Sequence, residues 1–296
     1  MPELPEVETV MSGLKKALLG RRIRAVRLAR ADLRLPFPPG FEARLAGRRV
    51  ERFERRAKYI LAHLDSGEAL LLHLGMSGRF TVMNGAGRAL GLGEFYEEGV
   101  AGTGAGPHDH VIFEVEGGGQ IVYTDPRRFG VMDLIPEREL STHHLLAGIG
   151  IEPFDEAFSA DYLADSFRDR KVPLKAALLD QSVIAGLGNI YVCEALHRAG
   201  LSPRRKAGSL VRKRGHDPRL KDVVRHIRAV LTEAIAAGGA TLRDHAQPDG
   251  RRGVFQHRFA VYDRGGQPCL KRGCGGTIRR IVQAGRSTFY CPRCQT

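Results

Sequence analysis

The sequence predicts an α+β chain: an N-terminal helix joined to a β-sandwich domain, then a C-terminal helical domain that ends in a cysteine-stapled β-hairpin. Three observations predict it. An apolar stripe of helical spacing, Val7, Val10, Met11, Leu14 and Leu18, opens the chain. Short β-like runs separated by Gly, Asp, Asn and Pro turns follow as far as Pro136. Beyond that the periodicity becomes helical, and four of the five cysteines gather in the last 28 residues.

Each element has its own signal. Pro5 suits the first turn of a helix and Gly20 its stop, which places the opening helix over Pro5 to Leu19. The β-like runs are RIRAVRLA, RRVERFE, KYILAHL, ALLLHL, RFTVM, HVIFEVE, QIVYTD and VMDLI, which read as a sandwich. Residues 85–107 interrupt them with many glycines and few large apolar groups, as a surface loop would. After GIEPFDEAF, read as a hinge, KAALLDQSV and NIYVCEALHRAG flank the tight turn AGLG. Val223, Val224, Ile227, Val230, Leu231 and Ile235 mark a strong helix ended by Gly238 and Gly239. The domains so delimited are 2–135, a linker over 136–158, 159–250, and 255–296.

Composition narrows the function classes. At 296 residues the chain can bury about two cores of ordinary size. Its longest apolar runs, such as Ala69 to Leu72, are too short to span a bilayer, and its acidic start lacks a secretion signal; a cytosolic protein is expected. The 46 Lys and Arg against 33 Asp and Glu leave a net charge of +13, which favours a polyanionic partner.

The strongest chemical signal is Cys269-LKRG-Cys274, then Cys291-PR-Cys294 after sixteen residues. Four thiolates in two close pairs suit one tetrahedral zinc ion, structural because no open position remains. The runs between them suit a β-hairpin whose turn carries Gln283 to Arg286, so Arg286 is either a phosphate contact or a solvated turn residue. In AGLGNIY, Gly186 and Gly188 permit close approach and Asn189 is read as the N-cap of the next helix: an anion site, or an ordinary cap. In MPELPEVETV, removal of Met1 would expose Pro2 as a secondary amine with a usable neutral fraction, a nucleophile for a sugar C1′, beside Glu3 and Glu6 for proton transfer. On the residues alone, carboxylates that favour a helix N-terminus explain the same text, and more simply.

Six motifs then point one way. MPELPEVETV, RRAKY (55–59), HLGMSG (73–78), TDPRRFG (124–130), GLGNIY (186–191) and RSTFYCPRC, in that order along the chain, resemble the bacterial formamidopyrimidine-DNA glycosylase family of the endonuclease VIII-like superfamily. The resemblance implies a helix-two-turn-helix in the 159–250 domain, a zinc-ribbon hairpin, and a monomeric bifunctional DNA glycosylase and abasic-site lyase acting on 8-oxoguanine and formamidopyrimidines. It implies Pro2 as the Schiff-base nucleophile, Glu3 and Glu6 as proton handlers, and Lys58 as a phosphate holder where a solvated strand-end charge is the plain alternative. Met76, Arg127 and Phe129 would fill the gap left by an everted base. Asn189 and Arg286 would grip phosphates, with His73, His108 and Lys171 as further DNA contacts, and TLRDHAQPDGRRG (241–253) would cap the lesion.

Two departures stand out: four residues, not two, separate the first cysteine pair, and the 85–107 segment is long. The alternatives are an endonuclease VIII type enzyme for oxidised pyrimidines and a non-catalytic zinc-ribbon DNA-binding protein. PELPE with the full Met76, Arg127, Phe129 set speaks against the first, and retention of Pro2, Glu3, Glu6 and Lys58 against the second.

Overall fold

In the computed structural model the described residues are 2–83, 89–94, 106–213, 215–240, 245–246 and 254–296. The chain divides into two compact units, residues 1–147 with 235–256, and 148–234 with 257–296.

The first unit opens with helix α1, Leu4–Leu18, whose stripe Val7, Val10, Leu14 and Leu18 is buried as its spacing requires. Strand β1 (Ile23–Leu28) and the short helix α2 (Phe41–Leu45) lead to β2 (Val50–Arg56), β3 (Tyr59–Leu64), β4 (Glu68–His73) and β5 (Arg79–Met83). Strands β6 (Ala89–Glu94), β7 (Asp109–Val115), β8 (Gly119–Thr124), β9 (Val131–Pro136) and β10 (His245–Ala246) complete the unit. They form a four-stranded sheet, β2-β3-β4-β9, and a six-stranded sheet, β1-β7-β8-β5-β6-β10. Alternate residues of both, Ile60, Ala62, Leu70 and Leu134 from one and Val26, Phe80, Val111 and Tyr123 from the other, share one core with α1.

One finding corrects the expectations. Residues 89–94 are not loop but β6, paired with β5 in the register Phe80↔Leu92 and Val82↔Leu90. The glycines of ALGLGE lower its strand propensity, and pairing with a neighbour overrides that. The rest of the proposed loop up to residue 105 lies outside the described residues, as does most of 241–253; His245 and Ala246 there pair with Glu94 and Gly93.

The second unit contains α3 (Ala160–Phe167), α4 (Leu174–Leu179), α5 (Asn189–Arg198) and α6 (Arg219–Ala236), with a hairpin of β11 (Arg279–Gln283) and β12 (Arg286–Tyr290). Helix α3 starts at Ser159, whose hydroxyl accepts the Tyr162 N–H at 3.1 Å. Between α4 and α5, Gln181 ties the two turns: its Nε2 donates to the Leu187 carbonyl at 2.9 Å, and its Oε1 accepts the Gly186 N–H at 3.0 Å. Gly186 takes φ +76°, a conformation few other residues tolerate. Cys193 is a buried thiol of α5. No described helix is long and apolar enough to cross a membrane.

Candidate nucleic-acid and catalytic site

The first unit brings together the N-terminal carboxylates. Glu3 and Glu6 are each only 4% exposed, and Pro2 beside them is buried. The Glu6 carboxylate accepts the Glu3 N–H at 2.8 Å through Oε2 and the Ala240 N–H at 2.8 Å through Oε1. A side chain at Gly239, which takes φ +84°, would meet Glu6 Oε1 at 2.9 Å. The glycines that stop α6 thus also let the backbone approach this carboxylate.

Lys58 lies in the two-residue turn between β2 and β3, where Arg56 faces Tyr59 and Ala57 takes the left-handed φ of +53°. It is 8% exposed, so it is no solvated strand-end charge. His73, at the end of β4, stacks on Tyr59 with 4.9 Å between ring centroids and accepts the Gly75 N–H on Nδ1 at 3.2 Å. Burial, then the positive charges of Lys58 and Arg34, hold its pKa down at about 4. His73 is therefore a neutral acceptor that shapes the HLGMSG turn at neutral pH.

That turn carries Met76, half-buried, and the neighbouring turn after β8 carries Arg127 and Phe129, both exposed. Phe129 is 42% exposed and the Arg127 guanidinium lies 4.9 Å from its ring centre. An apolar ring held at the surface under a cation is poised for contact, not core packing. His108 is exposed, with its carbonyl accepting the Asp125 N–H at 3.0 Å. His110 is buried and bonds the Asp125 carbonyl through Nε2 at 2.9 Å.

In the second unit the sequence reading needs one correction. Gly188, not Asn189, is the N-cap of α5, and Asn189 is its first residue. Its Nδ2 donates instead to the Ser287 carbonyl at 2.9 Å and to Tyr262 Oη at 3.3 Å, while Oδ1 is buried with no hydrogen-bond partner among the described residues. The reason is local: glycine supplies the extended cap backbone, and the amide is drawn to the carbonyl next to Arg286. Arg286 is exposed at the start of β12, where it faces Gln283 across the turn. Lys171 is exposed and lines a groove of about 610 Å³ with Arg168, Arg170, Lys206, Arg212 and Lys213.

Sequence reasoning missed two buried charges that hold this region. Lys175 on α4 is fully buried, and its ammonium donates to Thr288 Oγ1 at 2.7 Å and to the Ser287 carbonyl at 3.1 Å. Glu194 on α5 is 1% exposed and accepts the N–H groups of Ala260, Val261 and Tyr262 at 2.9, 3.0 and 2.8 Å. The available signal was a charge inside an apolar run, KAALL and YVCEALH, where burial demands a partner.

The four cysteine sulfurs lie within 4.8 Å of one another. Cys269 and Cys294 are 3.8 Å apart and Cys274 and Cys291 3.5 Å, against about 3.8 Å for the edge of a tetrahedron with zinc–sulfur bonds of about 2.3 Å. These separations are far too long for disulfides. Against burial, which raises it, the N–H groups of Cys294 and Arg293 bring the Cys291 thiol down to about 7, whereas burial pushes the Cys269 and Cys294 thiols up, so a bound metal would itself have to displace those protons. A side chain at Gly276, two residues after Cys274, would meet the Cys291 sulfur at 2.7 Å, so the backbone runs close against the cluster there. The cluster is a site for one structural zinc ion.

A four-cysteine hairpin beside a helix–turn–helix element, and an exposed Arg–Phe pair on a two-sheet unit, define a zinc-bearing DNA-binding protein of two-unit build. Family comparison makes this specific. The formamidopyrimidine-DNA glycosylase N-terminal domain matches residues 1–132, the H2TH domain of the same enzymes 149–246, and the zinc finger found in FPG and IleRS 266–296. The chain is 58% identical over 296 residues to the formamidopyrimidine-DNA glycosylase of Methylobacterium sp. (strain 4-46), covering all of this chain and 99% of that one. It is 54% identical to that of Rhizobium etli over 299 residues, covering all of both. Among solved structures, the MutM (Fpg) protein from Thermus thermophilus aligns with a TM-score of 0.81 at 38% identity, over 99% of this chain and 98% of that one. Lactococcus lactis Fpg in complex with abasic-site DNA aligns at 0.83 and 30% identity, over 99% of each chain. The chain belongs to the formamidopyrimidine-DNA glycosylase family.

Proposed function

We propose that the protein removes oxidised purines, 8-oxoguanine and formamidopyrimidines, from duplex DNA and then cleaves the abasic strand. The observation that carries the reading is the N-terminal Pro2, Glu3, Glu6 group, in which two carboxylates are buried where a helix start alone needs no burial. With Met1 removed, the neutral Pro2 nitrogen attacks C1′ of the everted nucleotide. The C–N bond to proline forms as the glycosidic bond breaks, and the proton lost from the proline nitrogen balances the one the departing base takes up. Glu3 protonates the deoxyribose ring oxygen as the sugar opens to an iminium, and Glu6 assists the same transfers. Loss of a C2′ proton expels the 3′ phosphate, loss of the C4′ proton then expels the 5′ phosphate, and water hydrolyses the iminium to free the sugar remnant and Pro2, leaving phosphate on both sides of the gap.

Lys58 holds a phosphate beside the lesion. Met76, Arg127 and Phe129 fill the vacated space, with Arg127 bonding the orphaned cytosine. Asn189 and Arg286 grip flanking phosphates, with His73, His108 and Lys171 as further contacts and 241–253 as the lesion cap. The domains divide the work: 2–135 carries the chemistry, 136–158 links, and 159–250 and 255–296 bind DNA. The zinc ion bound by Cys269, Cys274, Cys291 and Cys294 stabilises the hairpin and takes no part in the reaction. The enzyme acts as a monomer in the bacterial cytosol, at the nucleoid.

The test is to incubate the protein with an 8-oxoguanine:cytosine duplex and borohydride and to map the adduct by mass spectrometry. A covalent adduct at Pro2 is expected. Absence of that adduct, or equal trapping by Pro2→Gly, overturns the mechanism; preferential trapping on dihydrouracil or thymine glycol duplexes overturns the purine assignment.

A further inference from the structure

The turns bearing Met76 and the Arg127–Phe129 pair are joined by a buried hydrogen-bond network that neither catalysis nor phosphate binding uses. Asp125 is fully buried. Its Oδ1 accepts the Ser77 hydroxyl at 2.6 Å; its Oδ2 accepts the Gly130 N–H at 2.8 Å and the Tyr123 hydroxyl at 3.3 Å. Ser77, 1% exposed, accepts the Arg127 N–H in turn at 3.2 Å. A chain of bonds therefore runs from the backbone of Arg127 through the residue after Met76 to a carboxylate that also holds the residue after Phe129.

The packing is as tight as the bonding. A side chain at Gly75 would overlap the Phe129 carbonyl carbon, so the two turns are in backbone contact. Side chains at Gly78 and Gly130 would each overlap the Tyr123 hydroxyl, which therefore sits wedged between the turns. Burial, then the Asp125 charge, raises the phenol pKa well above its ordinary value, so Tyr123 remains a donor to that carboxylate. A buried carboxylate is costly unless its acceptors are filled, and here each oxygen is filled from a turn that carries a gap-filling residue.

We propose that Asp125, Ser77 and Tyr123 are positioning residues that lock the Met76 turn to the Arg127–Phe129 turn, so that the three side chains enter the duplex as one rigid wedge during base eversion. The proposal rests on the reading of these three as the gap-filling set. It separates two steps: excision of a paired lesion needs the wedge, whereas cleavage at a preformed abasic site has no base to evert.

The experiment uses full-length, zinc-loaded protein. Ser77→Ala removes one hydroxyl, leaving the Arg127 N–H and one Asp125 oxygen without their partner. Single-turnover excision of 8-oxoguanine is expected to fall about tenfold, the order expected for one lost charge-assisted bond, with cleavage of a preformed abasic duplex changed less than about twofold. Tyr123→Phe, which loses the longest of the three bonds and no volume, should show the same split at about threefold and decides the matter if Ser77→Ala does not fold. Equal losses on both substrates, or unchanged excision, overturn the proposal. Wild-type protein that cleaves the abasic duplex but leaves 8-oxoguanine untouched overturns the functional reading instead, and the proposal with it.

Discussion

Replacing Glu194 by Gln changes one atom's chemistry and almost no volume. The wild-type carboxylate holds three backbone donors: Val261 and Tyr262 share Oε1, and Ala260 uses Oε2. A glutamine oxygen can keep the shared pair, but its NH2 then faces the Ala260 N–H, and that buried donor is orphaned at about 1–3 kcal/mol. The two retained bonds also lose their charge assistance, roughly halving them, while relief of a buried carboxylate's desolvation offsets part of the loss. A net destabilisation of about 2 kcal/mol follows; with a urea m-value of about 2 kcal/mol/M the midpoint falls by about 1 M.

The chain contains no Trp, so far-UV circular dichroism is the suitable probe. Glu194→Leu orphans all three donors and should fall further. The loss reaches the proposed phosphate grip, because Tyr262 Oη accepts from Asn189 Nδ2 and the Tyr262 ring packs on Phe289 of β12 at 5.1 Å between centroids. DNA affinity should weaken with stability. An unchanged midpoint for Glu194→Gln, or a Leu variant no worse than it, would refute the clamp.

Other outcomes are expected on the same physical grounds. Chelation should release one zinc per chain, measured with a colorimetric indicator, and the hairpin should lose its protection from proteolysis while the first unit keeps its own. Arg286→Ala should lower DNA affinity similarly for damaged and undamaged duplexes and reduce the slope of log K against log salt by about 1, the value for one phosphate contact. His73 has a folded pKa of about 4, below its unfolded value of about 6.5, so the unfolded chain takes up the proton first. Its contribution to stability is present at neutral pH and is lost as pH falls from about 6.5 towards 4. Urea midpoints measured at neutral and mildly acidic pH should therefore converge in His73→Gln relative to wild type.

Much of the fold was legible because its signals are local. The stripe Val7, Val10, Leu14 and Leu18 could face only one core, and each of the eight short strand runs forms its strand. Strand β6 was not legible, since its glycines read as loop and only the register with β5 makes it a strand. Helix α3 is short and rests on its Ser159 cap, a signal too common in text to single out one helix. Among the site residues, motif order singled out Pro2, Glu3, Glu6, Met76, Arg127 and Phe129. It could not distinguish the solvated Lys58 of a strand end from the buried one observed, nor a cap at Asn189 from a side chain bonded to Ser287.

By itself the sequence determined the chemistry on offer: a proline at position 2 that becomes a secondary amine once Met1 is removed, carboxylates one helical turn apart, four thiols in two pairs, and a cationic excess. These are properties of residue type and spacing, which survive without a fold. Tertiary structure alone decided which charges are buried and what they hold. In the text Asp125 looks like an ordinary surface charge, and the apolar runs around Lys175 and Glu194 signal burial without naming a partner, because nothing in a sequence says which donors or carbonyls will arrive from tens of residues away. Burial turns each into a fixed strut, since a desolvated charge must keep its partners, and the exposed groups beside them, Phe129 and Arg286, inherit that rigidity.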